Sequence, residues 1–262
     1  MSRHALMTVL HAWLAFSLQG QIAAADPMQL TIELDAYAKQ FLSANQQKIV
    51  IVVPDPESAD GSTVVAAITL QPIADSTKLI FESDAVLYIS NGPVEPLDTL
   101  NMAISNPVAY GYTYSFNGVQ INGDGSGWSD HVGIYYAAPS NAQPVVTGLA
   151  EFIYESGNPK PDTALPINYY ALNPFETQYI KRPAPVVWIF VASTIDTGSL
   201  LPSSTLKPVT TSLARARSLA KTSSQLQIGR YLAVTLDSST QPIVHFSSAI
   251  NAFIDGPYPS TE

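Results

Sequence analysis

Short apolar segments recur along most of the chain, and several of them alternate with polar positions. Leu30, Ile32 and Leu34 alternate with polar residues, which is typical of a strand with one buried face. The run 49–53 is wholly apolar and ends at Pro54, as a buried strand would. Further segments that we interpret as strands are Thr63–Leu70, Lys78–Phe81, Ala85–Ser90, Val108–Phe116, Gly118–Ile121, Val132–Ala137, Leu149–Tyr154, Val186–Ala192, Leu226–Leu236 and Ile243–Phe246.

The spacing of these segments predicts the fold class. Twenty prolines and 14 glycines interrupt the chain every few residues and leave little room for long helices. The sequence therefore predicts a mainly β protein, an antiparallel β-sandwich or jelly roll. One or two short helices are expected beside the strands. The first spans 36–47, and the second runs over 213–221 with Ser212 as its N-cap.

The N-terminal segment 1–25 has the pattern of a secretory signal peptide. Arg3 and His4 precede an apolar run over 5–16, and small residues at 23–25 close the segment. The apolar run is shorter than the roughly 20 residues that span a bilayer. We expect cleavage after Ala25 and a secreted or periplasmic protein. The alternative is an ordinary buried or amphipathic helix.

The remaining chain is divided by a proline-rich segment at 155–185. This segment contains six prolines and several aromatic residues, so we expect an ordered crossover rather than a linker. It separates a β-sandwich domain or first half, 26–154, from a second β half, 186–262. A weak similarity between 50–73 and 187–209 favours two related halves, although chance similarity between β segments explains it equally well.

Composition and charge exclude several classes of protein. Cysteine is absent, which excludes thiol catalysis and thiolate metal sites. The net charge is −9, so the chain repels phosphate backbones and we expect no nucleic-acid partner. Charged residues make up only 13% of the chain, about half the usual share, and hydroxyl and amide side chains carry much of its polarity.

No catalytic motif stands out, which favours a protein that is not an enzyme. Ser129, Asp130 and His131 are the residue types of a hydrolase triad, but neighbours on a strand point to opposite faces. Paired carboxylates for glycoside hydrolysis remain an alternative, because several acids lie in or near turns. These acids are Asp55, Glu57, Asp60, Glu82, Asp84, Glu95 and Asp98.

The glycine-rich segment 122–127 resembles the opening of a calcium loop. Asn122, Asp124 and Asp130 offer oxygen ligands, which calcium prefers. Gly133 stands where the twelfth-position glutamate of an EF-hand would lie, so the segment is not an EF-hand. Calcium is the one cofactor that the sequence suggests, and a metal-free hairpin tip is the alternative.

A row of aromatic residues suggests a ligand-binding surface. Tyr110, Tyr112, Tyr114 and Phe116 have the spacing that places side chains on one face of a strand. Aromatic rings beside polar groups stack on sugar rings and bond to their hydroxyls. The alternative is a core face filled with rings. The predicted ligand-binding residues are Tyr110, Tyr112, Tyr114, Trp128, Asp130 and Tyr136.

Positive charge is concentrated near the C-terminal end of the chain. No acidic residue lies between Asp196 and Asp237, whereas five basic residues do. Such a window suits an anionic lipid, a sulfated glycan or the acidic surface of another copy; a solvated helix surface is the alternative. The predicted contacts to an anionic surface are Arg215, Arg217, Lys221 and Arg230.

These observations lead to one functional hypothesis and two alternatives. The hypothesis is an exported, non-catalytic binding protein that recognises a glycan or a cell-surface component through the aromatic hairpin. The first alternative is a self-assembling structural protein or a secreted toxin that forms oligomers, which suits a basic window on an acidic body. The second is the carboxylate-dependent polysaccharide hydrolase. A homo-oligomer and contact with a membrane surface remain open as further partners.

Overall fold

The computed structural model describes residues 26–55, 63–90, 95–139, 141–209 and 227–259. It confirms the predicted fold class, because 51% of the described residues are in strands and the sheets are mostly antiparallel, as in a β-sandwich. The described residues contain one α-helix, α1 Ala36–Ala44, and a short 3-10 turn, Ser203–Thr205. The strands are β1 Met28–Glu33, β2 Gln47–Val52, β3 Thr63–Leu70, β4 Ser76–Phe81, β5 Ala85–Ser90, β6 Met102–Val108, β7 Tyr112–Phe116, β8 Ile121–Ser126, β9 His131–Tyr136, β10 Val145–Glu151, β11 Ile153–Glu155, β12 Leu165–Pro166, β13 Tyr170–Leu172, β14 Thr177–Lys181, β15 Val186–Ser193, β16 Leu200–Pro202, β17 Leu232–Thr235, β18 Ile243–Ser247 and β19 Ala252–Asp255.

The first sheet joins the two ends of the described chain. Its strand order is β11-β4-β1-β18-β19, and β1 pairs with β18 in parallel. The predicted alternation is present, since Leu30 and Ile32 of β1 are buried. Helix α1 begins after Asp35, whose carboxylate accepts a hydrogen bond from the backbone N–H of Ala38 at 2.5 Å. The helix packs onto this core through Phe41, whose ring lies 6.1 Å from that of Phe246.

The second sheet continues from the first across a bend. Its order is β12-β10-β5-β6, with β13 also pairing with β10. Strand β4 leads into β5 and β10 into β11, and the backbone N–H of Glu82 donates to the carbonyl of Phe152 at 3.0 Å where the chain bends. All six residues of β5 are buried, so elements of the fold cover both faces of this strand.

The fourth sheet, β16-β3-β2-β15-β17, contains the apolar runs 49–53 and 186–192 in its neighbouring strands β2 and β15. Val50 of β2 pairs with Phe190 of β15, and both side chains are buried. The similar segments 50–73 and 187–209 therefore lie in one sheet, and β18 of the C-terminal region likewise pairs with β1. Strands from before and after the proline-rich segment therefore lie side by side in the same sheets. That the two halves arose by duplication stays a prediction.

The third sheet is called the aromatic sheet below, and its order is β14-β9-β7-β8. Strands β7 and β9 run parallel, while β8 and β14 are antiparallel to their neighbours. The proline-rich segment supplies β14 to this sheet and supplies β12 and β13 to the second sheet. This segment thereby connects the two sheets.

One predicted strand falls at a different position, and two predicted elements lie outside the described residues. A strand was expected at 118–121, but β8 covers Ile121–Ser126, because 117–120 forms the turn of the hairpin. The segments 1–25 and 213–221 lie outside the described residues, as do the signal peptide and the second helix predicted there. In the described part of the chain, no helix has the length and apolar character needed to cross a membrane.

Candidate ligand-binding surface

The aromatic sheet has an inner face toward the core and an outer face toward solvent. Side chains alternate between the faces along each strand. The inner face carries Tyr114 and Phe116 of β7 and Ile134 of β9, all of which are buried. The outer face carries Thr113 of β7, which is half-buried, and Tyr179 of β14, which is exposed.

Two of the predicted ligand-binding residues are core side chains. Tyr114 is buried, and its hydroxyl accepts a hydrogen bond from the backbone N–H of Ala109 at 2.8 Å. Tyr136 is also buried, and its ring stacks on Phe116 with a centroid distance of 5.1 Å. The inner face is therefore a ring-filled core face, and its hydroxyls find partners inside the protein.

Tyr110 begins the aromatic row but lies in a turn just before β7. The guanidinium of Arg182 lies 4.1 Å from the centre of its ring, which is a cation–π contact. Burial, with a smaller contribution from nearby Glu151, raises the pKa of the Tyr110 phenol. Burial also raises the pKa of Glu151 to about 7, and Arg182 opposes that shift. These three residues form a cluster at the start of the row, in which Tyr110 and Glu151 are half-buried and Arg182 is exposed.

The outer face has a glycine at its centre, which makes room for an aromatic ring. Tyr179, Gly133, Thr113 and Gly125 pair across the four strands in one line. A β-carbon added at Gly133 would lie 2.8 Å from Oγ1 of Thr113 and 3.1 Å from Cε1 of Tyr179. Only glycine leaves this space free, so the Tyr179 ring can approach the backbone at Gly133.

Trp128 completes the surface from the loop between β8 and β9. Its ring stacks on Tyr179 with a centroid distance of 4.7 Å and an interplanar angle of 20°, and it meets His131 edge-on at 5.1 Å. Trp128 nevertheless remains 61% exposed and Tyr179 39% exposed. Tyr179 covers one face of the indole, and the opposite face is open to solvent.

Polar groups surround this aromatic pair. Oδ1 of Asp130 lies 2.7 Å from Nδ1 of His131. The hydrogen bond with His131 is the main reason that the pKa of Asp130 is lowered, and Lys181 contributes less. The backbone N–H of Arg182 donates to the carbonyl of Asp130 at 2.8 Å, which ties the Asp130 turn to the end of β14.

A second line of residues on the outer face is rich in hydroxyl and amide groups. Thr177, Tyr135, Ser115 and Asn122 pair across the four strands. Tyr135 and Ser115 are half-buried, whereas Thr177 and Asn122 are exposed. The Asn122 side-chain oxygen accepts a hydrogen bond from Gln120 at 3.2 Å. The outer face thus combines an aromatic stack with groups that donate and accept hydrogen bonds.

Tyr112 is the exposed member of the predicted row. It is the first residue of β7, where the inner face reaches the end of the sheet. The loop that carries Trp128 passes close to it, since a β-carbon at Gly127 would lie 3.3 Å from the carbonyl carbon of Tyr112. Tyr112, Trp128 and Asp130 therefore lie near one end of the aromatic sheet, apart from Tyr114 and Tyr136.

Two of the predicted calcium ligands lie in a strand and the third lies in a turn. Asn122 and Asp124 belong to β8, with Asp124 at a bulge in its pairing with β7, while Asp130 lies in a turn and pairs with His131. Within the described residues, no three His, Asp or Glu side chains cluster as metal ligands would. Calcium binding stays a prediction.

Four of the five described acids proposed for hydrolysis make structural contacts through their carboxylates. Lys160 pairs with Glu82 and, at 3.3 Å, with Asp84, and Tyr154 donates to Glu82 at 2.7 Å. In the other acidic turns, Asp98 accepts from the backbone N–H of Glu95, and Asp55 accepts from Asn168 and Tyr170. Glu57 and Asp60 lie outside the described residues.

The basic window is described at only one of its four predicted contact residues. Arg230 donates a hydrogen bond to the carbonyl of Pro208 at 3.2 Å and is half-buried. Arg215, Arg217 and Lys221 lie outside the described residues. Contact with an anionic surface therefore stays a prediction.

Comparison with known proteins adds no family to the fold class described above. Comparisons with protein-family models, with curated proteins and with solved structures found no match. The structure defines a mainly β protein with several antiparallel sheets. The sequence did not single out Tyr179 or Tyr135 on the outer face, and the place of Tyr179 beside Trp128 depends on the pairing of β14 with β9.

Proposed function

We propose that this is an exported, non-catalytic binding protein that recognises a glycan or another cell-surface component with the outer face of the aromatic sheet. The observation that carries the proposal is the exposed stack of Trp128 on Tyr179. Large aromatic side chains that remain exposed beside polar groups are typical of recognition surfaces.

The chemistry of the surface suits a sugar ring. The open face of Trp128 offers a flat apolar platform for the C–H groups of a pyranose. Hydroxyl and carboxylate groups on the same side, from Thr113, Ser115 and Asp130, suit the sugar hydroxyls. An apolar platform with a few polar groups around it gives both affinity and orientation.

The aromatic platform is also held in place before a ligand arrives. Tyr179 lies on a strand over Gly133, and Trp128 is held between Tyr179 and His131. Groups that are fixed in advance lose less conformational entropy when they bind. The buried Tyr114 and Tyr136 support this sheet from its inner face, and we assign them no contact with ligand.

A glycan array followed by calorimetry tests the proposal. We expect the purified protein to bind a subset of glycans, and we expect Trp128→Ala and Tyr179→Ala together to abolish that binding. Tyr37→Ala is the matched control, because Tyr37 is an exposed ring on α1. It should bind as the unchanged protein does.

Unfolding curves show whether the double variant is still folded, so that a loss of binding is not confused with unfolding. The double variant should retain a cooperative transition, since both rings are exposed. Absence of any glycan ligand, or full binding by the folded double variant, refutes the proposal. Sedimentation at several concentrations tests the self-assembly alternative, which requires the apparent mass to rise with concentration.

A further inference from the structure

The loop 127–130 between β8 and β9, called the tryptophan loop below, is held by backbone hydrogen bonds at both of its ends. At its start, the N–H of Gly127 donates to the carbonyl of Gly111 at 2.7 Å. At its end, the carbonyl of Asp130 accepts from the N–H of Arg182 at 2.8 Å. One end is therefore attached to the segment before β7, and the other to the residue that follows β14.

These two points of attachment are joined by a side-chain contact. Gly111 follows Tyr110 in the chain, and the guanidinium of Arg182 lies 4.1 Å from the centre of the Tyr110 ring. A planar guanidinium that stacks on an aromatic ring is fixed in both distance and orientation. A displacement of Arg182 from Tyr110 therefore changes the spacing between the two points that hold the tryptophan loop.

The tryptophan loop also packs against the segment that Tyr110 begins. A β-carbon added at Gly127 would lie 3.3 Å from the carbonyl carbon of Tyr112, and one added at Gly111 would lie 3.7 Å from Cα of Ser129. Closely packed atoms transmit a displacement to their neighbours. The loop therefore follows a movement of this segment rather than moving independently of it.

A carboxyl group lies beside the contact between Arg182 and Tyr110. Glu151 is the last residue of β10 and is half-buried, and its partner on β12 is the apolar Leu165. Among the described residues, the charged and titratable groups that face Glu151 are Arg182, after β14, and Tyr110, in the turn before β7. Burial raises the pKa of Glu151 to about 7, so its charge changes near neutral pH.

We infer that Arg182 is a positioning residue of the proposed binding surface: its contact with Tyr110 holds Trp128 in place, and ionisation of Glu151 releases it. The inference rests on the proposed function, because Trp128 is the platform for the ligand there. Recognition thereby depends on three residues that do not touch the ligand.

The charge on Glu151 decides which group Arg182 contacts. While Glu151 is protonated, the guanidinium stays on the ring of Tyr110, as in the structure. An ionised, half-buried carboxylate needs hydrogen-bond donors, and the guanidinium supplies them when it leaves the ring. The backbone of Arg182 moves with its side chain and shifts the carbonyl of Asp130 at the end of the tryptophan loop.

Fluorine NMR of the full chain labelled with 5-fluorotryptophan tests the positioning without any ligand. The resonance of Trp128 is the one that Trp128→Phe removes. It should shift between pH 5 and pH 9 with a midpoint near the pKa of Glu151, about 7. Glu151→Gln should abolish this shift. Glu155→Gln is the matched control, because Glu155 is an exposed carboxylate on β11, and it should retain the shift.

Two further sets of variants identify the groups that cause the shift. His131 meets the indole edge-on at 5.1 Å, and histidine side chains also change charge in this pH range. His131→Gln should nevertheless retain the shift that Glu151→Gln removes. Arg182→Ala should abolish the shift, and Arg182→Lys should restore only part of it, because lysine keeps the charge without the planar group.

Binding is measured on the same variants with any glycan that the array yields. The affinity of the unchanged protein should fall about fivefold from pH 6 to pH 8, which is a modest coupling between two sites. The affinity of Glu151→Gln should stay constant over this range. Unfolding curves at both pH values show that the compared proteins are folded.

Three results overturn the inference. They are a Trp128 resonance that does not move near pH 7, an equal movement in Glu151→Gln, and a glycan affinity that Glu151→Gln leaves equally dependent on pH. An array without any glycan ligand, together with the expected shift, refutes the proposed function but supports the positioning of Trp128 by Arg182. The two failures are therefore distinguishable.

Discussion

The two faces of the aromatic sheet carry similar ring pairs in opposite surroundings. On the inner face Phe116 stacks on Tyr136 at 5.1 Å, and both are buried. On the outer face Trp128 stacks on Tyr179 at 4.7 Å, and both are exposed. Ring geometry alone therefore does not distinguish a core contact from a recognition surface. Exposure does, and it follows from which face the alternation of the strand assigns to each residue.

The difference in burial predicts a difference in what each pair contributes. Removing buried rings from water supplies a large part of the folding free energy. An exposed stack contributes only about 0.5–1.5 kcal/mol beyond its buried area. We therefore expect substitutions on the inner face to change stability and those on the outer face to change recognition.

The largest expected effect is at Phe116. Phe116→Ala should lower the free energy of unfolding by about 3–5 kcal/mol, because it leaves a cavity beside Tyr136. Urea titration followed by circular dichroism measures the change. Any ligand found for the unchanged protein should still bind to the folded fraction. A loss under about 1 kcal/mol would show that the inner face is not a packed core.

A smaller effect is expected at Gly133, because the lack of a side chain there leaves room for Thr113 and Tyr179 on the outer face. Gly133→Val should destabilise the protein by about 1–3 kcal/mol, because the new β-carbon requires Thr113 and Tyr179 to move. Displacing Tyr179 also separates it from Trp128, so tryptophan fluorescence should shift. Gly125→Ala is the control, since nothing lies within 4 Å of a β-carbon there. Equal behaviour of the two variants would contradict the proposed packing.

The sequence predicted the inner face more fully than the outer face. Alternation within β7 placed Tyr112, Tyr114 and Phe116 on one side of a strand, because that relation is local. Which side is buried was left open, since it depends on what packs against the sheet. The structure places Tyr114 and Phe116 in the core and exposes Tyr112 at the end of the strand.

The relations that the sequence did not reveal are long-range. Tyr179 reaches Trp128 only because β14, which lies within the proline-rich segment, pairs with β9. In the first sheet, β1 pairs in parallel with β18, a strand from the other end of the described chain. Local propensity and alternation carry no information about such partners. The fold class could be predicted from segment lengths and turns, whereas the sheet order and the outer surface could not.

The smallest of these effects concerns the start of the aromatic row, where Tyr110 lies beside Arg182 and Glu151. Burial raises the pKa of Glu151 to about 7, from an ordinary value of 4.5. Between those two pH values the folded state binds more protons than the unfolded state, so stability falls as pH rises through this range. Because the Glu151 side chain is only half-buried, solvent screening limits the loss to about 1–2 kcal/mol.

Glu151→Gln isolates this contribution, because glutamine cannot ionise. Urea titrations at pH 5 and pH 8 should show a smaller fall in stability for the variant than for the unchanged protein. Glu155→Gln is the control, since Glu155 is an exposed carboxylate on the neighbouring strand β11. If Glu151→Gln and the unchanged protein lose stability equally between these pH values, then Glu151 is ionised without penalty in the folded state. The start of the aromatic row would in that case be open to water. The contrast between a buried inner face and an exposed outer face would then not extend to Tyr110.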